Sequence, residues 1–189
     1  MPDIKNQKLL YHLTSIDNIG SILKKGLKPR AELKRFNDVA DAEIIEQRRN
    51  LSLEHFVPFH WFCRNPFDGR VQEDRPDEKF VLITVSRKLA AKQNWKIIPH
   101  HPLKATKIQL LDYDEGFDVI DWAAMNERNY HDPHCKSVCM SECLSPETVA
   151  QSDFFSIFVD SDHSAAYVEK QNILHGSTVD IQVNKNMFS

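Results

Sequence analysis

HCKSVCMSECLSP, residues 134–146, sets one carboxylate among a histidine and three cysteines. Read as a metal cluster, it implies a small zinc-stabilised module; read as a strand that presents an acid, it implies an α+β enzyme. Structural zinc is normally held by close pairs such as C-x2-C, followed across a loop by a second pair. Cys135, Cys139 and Cys143 instead fall four apart, which stacks them on one helix face, where neighbouring rungs do not easily surround a tetrahedral ion. An irregular set of His131, His134, Cys135 and Cys139 keeps the metal reading open. If 137–144 is a strand, Val138, Met140, Glu142 and Leu144 face one way and Cys139, Ser141 and Cys143 the other. Ser145 and Pro146 would then stop the strand and open a helix. Glu142 lies in an apolar row on this reading, and a lone acid there must be paired, protonated or functional. An ion pair with Arg48, Arg49 or a lysine is the purely structural alternative.

Outward from this stretch, the chain reads as short strands broken by helices. LLYHLTSIDNIGSILKKG, residues 9–26, begins strand-like and switches to helical spacing through Ile16, Ile19, Ile22 and Leu23, with Gly26 as the stop. A helix is expected over 38–49. FVPFHWF, 56–62, is expected as an edge strand because Pro58 cannot donate to a ladder. DGRVQEDRPDEK, 68–79, reads as loop and FVLITV, 80–85, as the central buried strand. WKII (95–98), TKIQLL (106–111), FFSIFV (154–159) and TVDIQV (178–183) are expected strands, and 119–129 and 163–171 expected helices. Irregular alternation of this kind indicates an α+β domain, one unit over 1–189, and no glycine-rich phosphate fingerprint is present.

The 189 residues, 41% hydrophobic, suffice for one sizeable core. MPDIKNQKLL lacks a basic start followed by an apolar core, and no apolar run approaches the roughly 18 residues of a membrane span. A soluble, cytoplasmic protein with reduced thiols and no membrane association is expected. The net charge of -3 is unevenly spread. Residues 1–35 carry eight Lys or Arg against Asp3, Asp17 and Glu32, whereas 110–135 carry seven acids against Arg128. Patchy solvated charge accounts for this, as does an anionic ligand.

The opening YHLTSIDNIGSILKKGL resembles that of the DarT family of DNA ADP-ribosyltransferases, Y-H-I-T-H-I-D-N-L followed by I-L and a glycine. The resemblance recurs in order: I-x-x-R-R at residues 45–49, V-P-F with two aromatic positions and R-[SN]-P at 57–66, D-W at Asp121 and Trp122, D-P at Asp132 and Pro133, A-E-F-L as 141–144, and a last strand ending VNKNMF. It implies an ADP-ribosyltransferase fold, two facing mixed or antiparallel sheets with flanking helices around an NAD cleft. It also implies transfer of ADP-ribose from NAD, as substrate, to a nucleobase of single-stranded nucleic acid, DNA favoured over RNA. A toxin is implied, neutralised by a cognate antitoxin protein or deployed against phage.

The resemblance also implies roles. Glu142 would stabilise the oxocarbenium-like transition state and take a proton from the base. Arg49 would act with it and grip the phosphate and ribose region. His12, with Thr14 and Asn18, would anchor the adenosine ribose, and His60, Trp61 and Phe67 would wall the nicotinamide. His60 and Trp61 replace the family's Tyr-Phe, and R-S-P-M reads Arg64, Asn65, Pro66, Phe67. Acceptor contacts fall to His101, His134, Lys136 and Arg64, and no metal is expected. The segment before the acid lacks the family's basic helix, so the base itself is not carried over. Transfer to a protein side chain, a non-catalytic zinc-stabilised nucleic-acid module and a degenerate, inactive fold are the competing readings.

Overall fold

The computed structural model describes residues 3–34, 36–40, 42–102 and 108–189. Strand β1 (Leu9–Ser15) runs through a single-turn helix into α1 (Ile19–Lys25), which buries Ile19, Ile22 and Leu23 as the spacing predicts. Gly26 ends α1 at φ 81°, and a Cβ there would meet Val149 O at 2.9 Å, so only glycine fits. Helix α2 (Ala42–Asn50) starts later than expected and buries none of its residues. It leads to β2 (Val57–Phe59), with Pro58 on an edge strand.

The polar run read as loop contains α3 (Pro66–Asp74). Asn65 Oδ1 accepts from Phe67 N and Asp68 N, both at 3.0 Å, and Pro66 occupies the first turn. The cap makes this helix, not an apolar stripe, since only Asp68 and Val71 are buried. Strand β3 (Phe80–Ser86) is followed by α4 (Arg87–Lys92), β4 (Lys96–Ile98), α5 (Tyr113–Val119) and α6 (Trp122–Glu127). The single helix expected over 119–129 is therefore split, because Asp121 caps Ala124 N and starts α6 afresh. Of the strand expected over 106–111, Thr106 and Lys107 lie outside the described residues; Leu111 makes only an isolated bridge to Ile97.

The decisive stretch divides. Asp132 and Pro133 nucleate α7 (Pro133–Val138), capped by Asp132 Oδ1 on Cys135 N at 2.7 Å, so 137 and 138 are helical. Strand β5 (Glu142–Ser145) begins only at the acid. No helix opens at Pro146; Ser145 Oγ instead donates to Glu147 O at 2.8 Å, closing a turn. Then follow β6 (Phe154–Val159), α8 (Asp162–His175) and β7 (Ile181–Val183), the last shorter than the expected run.

Two sheets result. One has the order β1-β3-β6-β7, with β6 and β7 parallel; the other, β2-β5-β4, is antiparallel. This is the expected α+β architecture, with the 80–85 run central in its sheet. The largest apolar cluster includes Leu10, Ile83, Ile157, Phe59, Trp95 and Cys143, and so joins the two sheets.

Three polar contacts tie the sheets together. Tyr11 N donates to His60 O at 2.9 Å and His60 N to Tyr11 O at 2.8 Å. His12 Nδ1 lies 2.8 Å from Pro58 O and donates to it, fixing the tautomer. Arg87 donates to Ile4 O, Lys5 O and Leu9 O at 2.8–3.1 Å and to Trp61 O at 2.8 Å, with the Trp61 ring 4.9 Å away. Burial lowers its pKa to about 10.

Replacing Arg87 by Met orphans four carbonyls, and we expect a loss of about 3 kcal/mol or more in urea unfolding; a loss under about 1 kcal/mol would contradict the tie. Burial pushes His12 down to about 4, so the folded state holds it neutral while the unfolded chain protonates near 6.5. The associated stability, up to about 3 kcal/mol, is complete above pH 6.5 and is lost as pH falls from 6.5 toward 4. The melting temperature should therefore fall more steeply over that window than in His12→Gln; equal slopes would refute the assignment.

Candidate active site

A cleft of about 1000 Å³, lined in part by residues of β1 and β2, is large enough for a dinucleotide. Its floor carries Glu142, the first residue of the middle strand of the three-stranded sheet, 6% exposed. Strand alternation sends Leu144 to the same side and Cys143 into the main core. Arg48 Nη1 donates to both carboxylate oxygens, at 2.7 and 2.9 Å. Its Nη2 is buried without a hydrogen-bond partner among the described residues.

His60 and Phe67 line the cleft beside this pair, their rings 5.7 Å apart. His60 Nδ1 is 3.3 Å from Ser141 O. Burial lowers the His60 pKa, and the Glu142 charge opposes that shift. Along the other wall stand His12 and Thr14 from β1, with Asn18 donating to Thr14 Oγ1 at 3.1 Å and to Asn37 O at 2.7 Å. Asn37 N returns a bond to Asn18 Oδ1 at 2.9 Å, so this wall is polar and neutral. Lys25, Lys28, Arg30 and Lys34 also line it, together with Asp17, Glu32, Asp38 and Glu54; Lys28 pairs with Glu32 and Arg30 with Asp38.

The structure thus brings Glu142, His12, Thr14, Asn18, His60, Phe67 and His101 to one cleft. Other expected positions require correction. Arg49 is not at the acid: it points to solvent, 69% exposed, and bonds Glu54 Oε2 at 3.2 Å. Successive helix residues point about 100° apart, so only one of the two arginines can face β5, and that one is Arg48. Trp61 turns into the core, 1% exposed, against Phe117 and Trp122. The chain alternates there, so that Phe59 and Trp61 share the core side and His60 the cleft. His134, Lys136 and Arg64 are exposed and do not line the cleft; His134 bonds Asp121 at 3.0 Å.

Two of the thiols in the 134–146 stretch donate to backbone carbonyls. Cys135 Sγ donates to Ala124 O at 3.0 Å and Cys139 Sγ to Met125 O at 3.7 Å, and burial pushes Cys139 up to about 12. Among the described residues no group of three or more His, Cys, Asp or Glu is arranged to hold a metal, and no helix is long and apolar enough to cross a membrane. Asn37 and Arg30 were not singled out by sequence reasoning, since they lie in a segment without periodicity. Arg48 was legible only as a partner for the acid.

Residues 11–189 match the family model of DarT, described as ssDNA thymidine ADP-ribosyltransferase. A DNA ADP-ribosyl transferase-DNA ADP-ribosyl glycohydrolase fusion protein of Thermosipho africanus is 27% identical over 169 residues, 83% of this chain. The chain spans only 43% of that fusion protein. In fold it is similar to Thermus sp. 2.9 DarT solved with ADP-ribosylated ssDNA, with TM-score 0.83, 19% identity and 96% of each chain covered. The same Thermus protein solved with NAD+ gives TM-score 0.75 at 17% identity, over 96% of this chain and 97% of that one. Since the family model covers all but the first ten residues, the chain belongs to the DarT family.

Proposed function

We propose that the protein transfers ADP-ribose from NAD to a thymidine base of single-stranded DNA. The observation that carries this reading is the buried Glu142 carboxylate at the floor of a dinucleotide-sized cleft, held by an arginine that keeps one donor nitrogen unsatisfied. A buried donor without an acceptor is costly, and a ligand oxygen would satisfy it. The family description and the NAD+ and ADP-ribosylated ssDNA complexes of the Thermus relative support the donor and acceptor classes.

In this reaction the bond between ribose C1′ and the nicotinamide nitrogen breaks, its electron pair neutralising the pyridinium as nicotinamide leaves. A ring nitrogen of the base forms the new bond to C1′, and its proton passes to the Glu142 carboxylate. The same carboxylate stabilises the positive charge that develops on the ribose before attack. Arg48, its bidentate partner, orients the carboxylate and supplies the cation for the phosphate and ribose region. His12, Thr14 and Asn18 offer uncharged hydrogen-bonding groups for the adenosine end, and His60 and Phe67 offer flat surfaces for nicotinamide or base. Single strands suit this site, because a base within a duplex would first have to be extruded.

Modified DNA would stall replication, so we assign the protein a toxin role and expect an antitoxin partner. The pairing of a transferase with a DNA ADP-ribosyl glycohydrolase in the Thermosipho relative supports a partner that removes the mark.

The test is incubation with NAD, single-stranded DNA, RNA and a carrier protein, followed by mass analysis of each. An adduct on DNA is expected, abolished by about 100-fold or more in Glu142→Gln. Labelled protein with unlabelled DNA would overturn the acceptor assignment. Arg48→Ala should lower kcat/KM by about 100-fold, whereas Arg49→Ala, exposed and off the cleft, should change it by less than about threefold. The reverse order of effects would return the role to Arg49.

A further inference from the structure

Asp68 is a buried acid that the reaction does not use. It sits in the first turn of α3, 1% exposed. Its Oδ2 accepts from Asn65 Nδ2 at 2.7 Å, while its Oδ1 is buried without a hydrogen-bond partner among the described residues. Asn65, also buried, uses every hydrogen-bonding position it has: Nδ2 donates to Phe62 O at 3.2 Å as well, and Oδ1 accepts from Phe67 N and Asp68 N, both at 3.0 Å. One amide thus fastens the preceding loop, the backbone of Phe67 and the Asp68 side chain.

From this turn two neighbours point different ways. Successive helix residues diverge by about 100°, so Phe67 lines the cleft, its ring 5.7 Å from that of His60, whereas Asp68 does not. The ring that meets the cleft therefore moves with the turn that Asn65 and Asp68 fasten. A carboxylate here, with one bare oxygen and no cation acting on it among the described residues, would be costly, and a neutral carboxyl much less so. Burial accordingly raises Asp68 to about 8, against a smaller opposing effect of the Asn65 bond. The titratable groups around it are the Cys63 thiol, pushed up by its own burial and by the Asp68 charge, and Arg64 and Arg128, which act on that thiol in the opposite sense. Tyr11 of β1 lies beyond Cys63, His60 lies across the Phe67 ring, and Arg70 on α3 pairs with Asp74.

We propose that Asp68 is a positioning residue: neutral and bonded to Asn65, it holds the first turn of α3 so that Phe67 faces the donor, and its ionisation opens that turn to water and withdraws the ring. The assignment rests on NAD being the donor, and it makes NAD binding weaken in mildly alkaline solution.

The experiment is calorimetric titration with NAD at about pH 7 and about pH 9, paired with fluorine NMR of fluorophenylalanine-labelled protein, in which Phe67→Leu assigns the Phe67 signal. One pH unit above the Asp68 value roughly a tenth of the molecules remain neutral, so wild-type affinity for NAD should drop about tenfold at the higher pH, and the Phe67 signal should shift. Asp68→Asn, uncharged at both pH values, should show neither change; Cys63→Ser, which removes the other group that titrates nearby, should show both. Melting temperatures verify folding, and Asp68→Leu, an apolar side chain of similar size, replaces the asparagine variant if that one does not fold. A wild-type Phe67 signal that stays in place, an affinity drop that persists in Asp68→Asn, or one that vanishes in Cys63→Ser would each overturn the assignment. A signal that shifts as expected in wild type that binds no NAD would sink the donor reading and leave the hold of Asp68 on Phe67 standing.

Discussion

Four carbonyl oxygens converge on the Arg87 guanidinium, and the relation between the two sheets depends on that convergence. Ile4, Lys5 and Leu9 lie before and at the start of β1, and Trp61 lies just beyond β2. Among the described residues this buried cation has no counter-ion, and neutral dipoles and the faces of Trp61 and Trp122 replace its water. Lys, with its donors on one nitrogen, has no fork to span these directions. This clamp and the Tyr11–His60 and His12–Pro58 contacts together hold β1 against β2. The cleft residues His12, Thr14, Pro58 and His60 take their positions from these contacts.

The ion pair at the floor has a different character. Arg48 and Glu142 are 12% and 8% exposed at their side chains, and desolvating both charges offsets much of their attraction. Such a pair is weak evidence for stability and stronger evidence for function. No described residue of helix α2 is fully buried, and the Arg48 ion pair reaches from it to β5.

Where apolar periodicity was strong, the sequence was informative. The 80–85 and 154–159 runs, the switch from strand to helix ahead of Gly26, and the edge position of Pro58 could all be read because burial itself imposes those patterns. Helices α3 and α7 escaped notice because a cap and a first-turn proline make them, with little apolar face to betray them. Arg48 and Arg49 could not be told apart without the phase of α2, which its weak amphipathicity does not supply. A run of aromatic residues suggests one continuous wall, but alternation permits only every second residue to face the cleft, and Trp61 falls on the core side. Glu142 and His12, which the family resemblance singles out, line one cleft, whereas residue spacing alone leaves a metal site open.

Strand β5 is paired on both sides, Cys143 with Phe59 and with Ile97. Its register is therefore locked by two ladders, and displacement by one position would exchange the acid for a thiol. The carboxylate can be present or missing, but it cannot drift by a fraction of a residue. Variation in the helix and turn upstream is thus free to reshape the neighbouring surface while the carboxylate stays where it is.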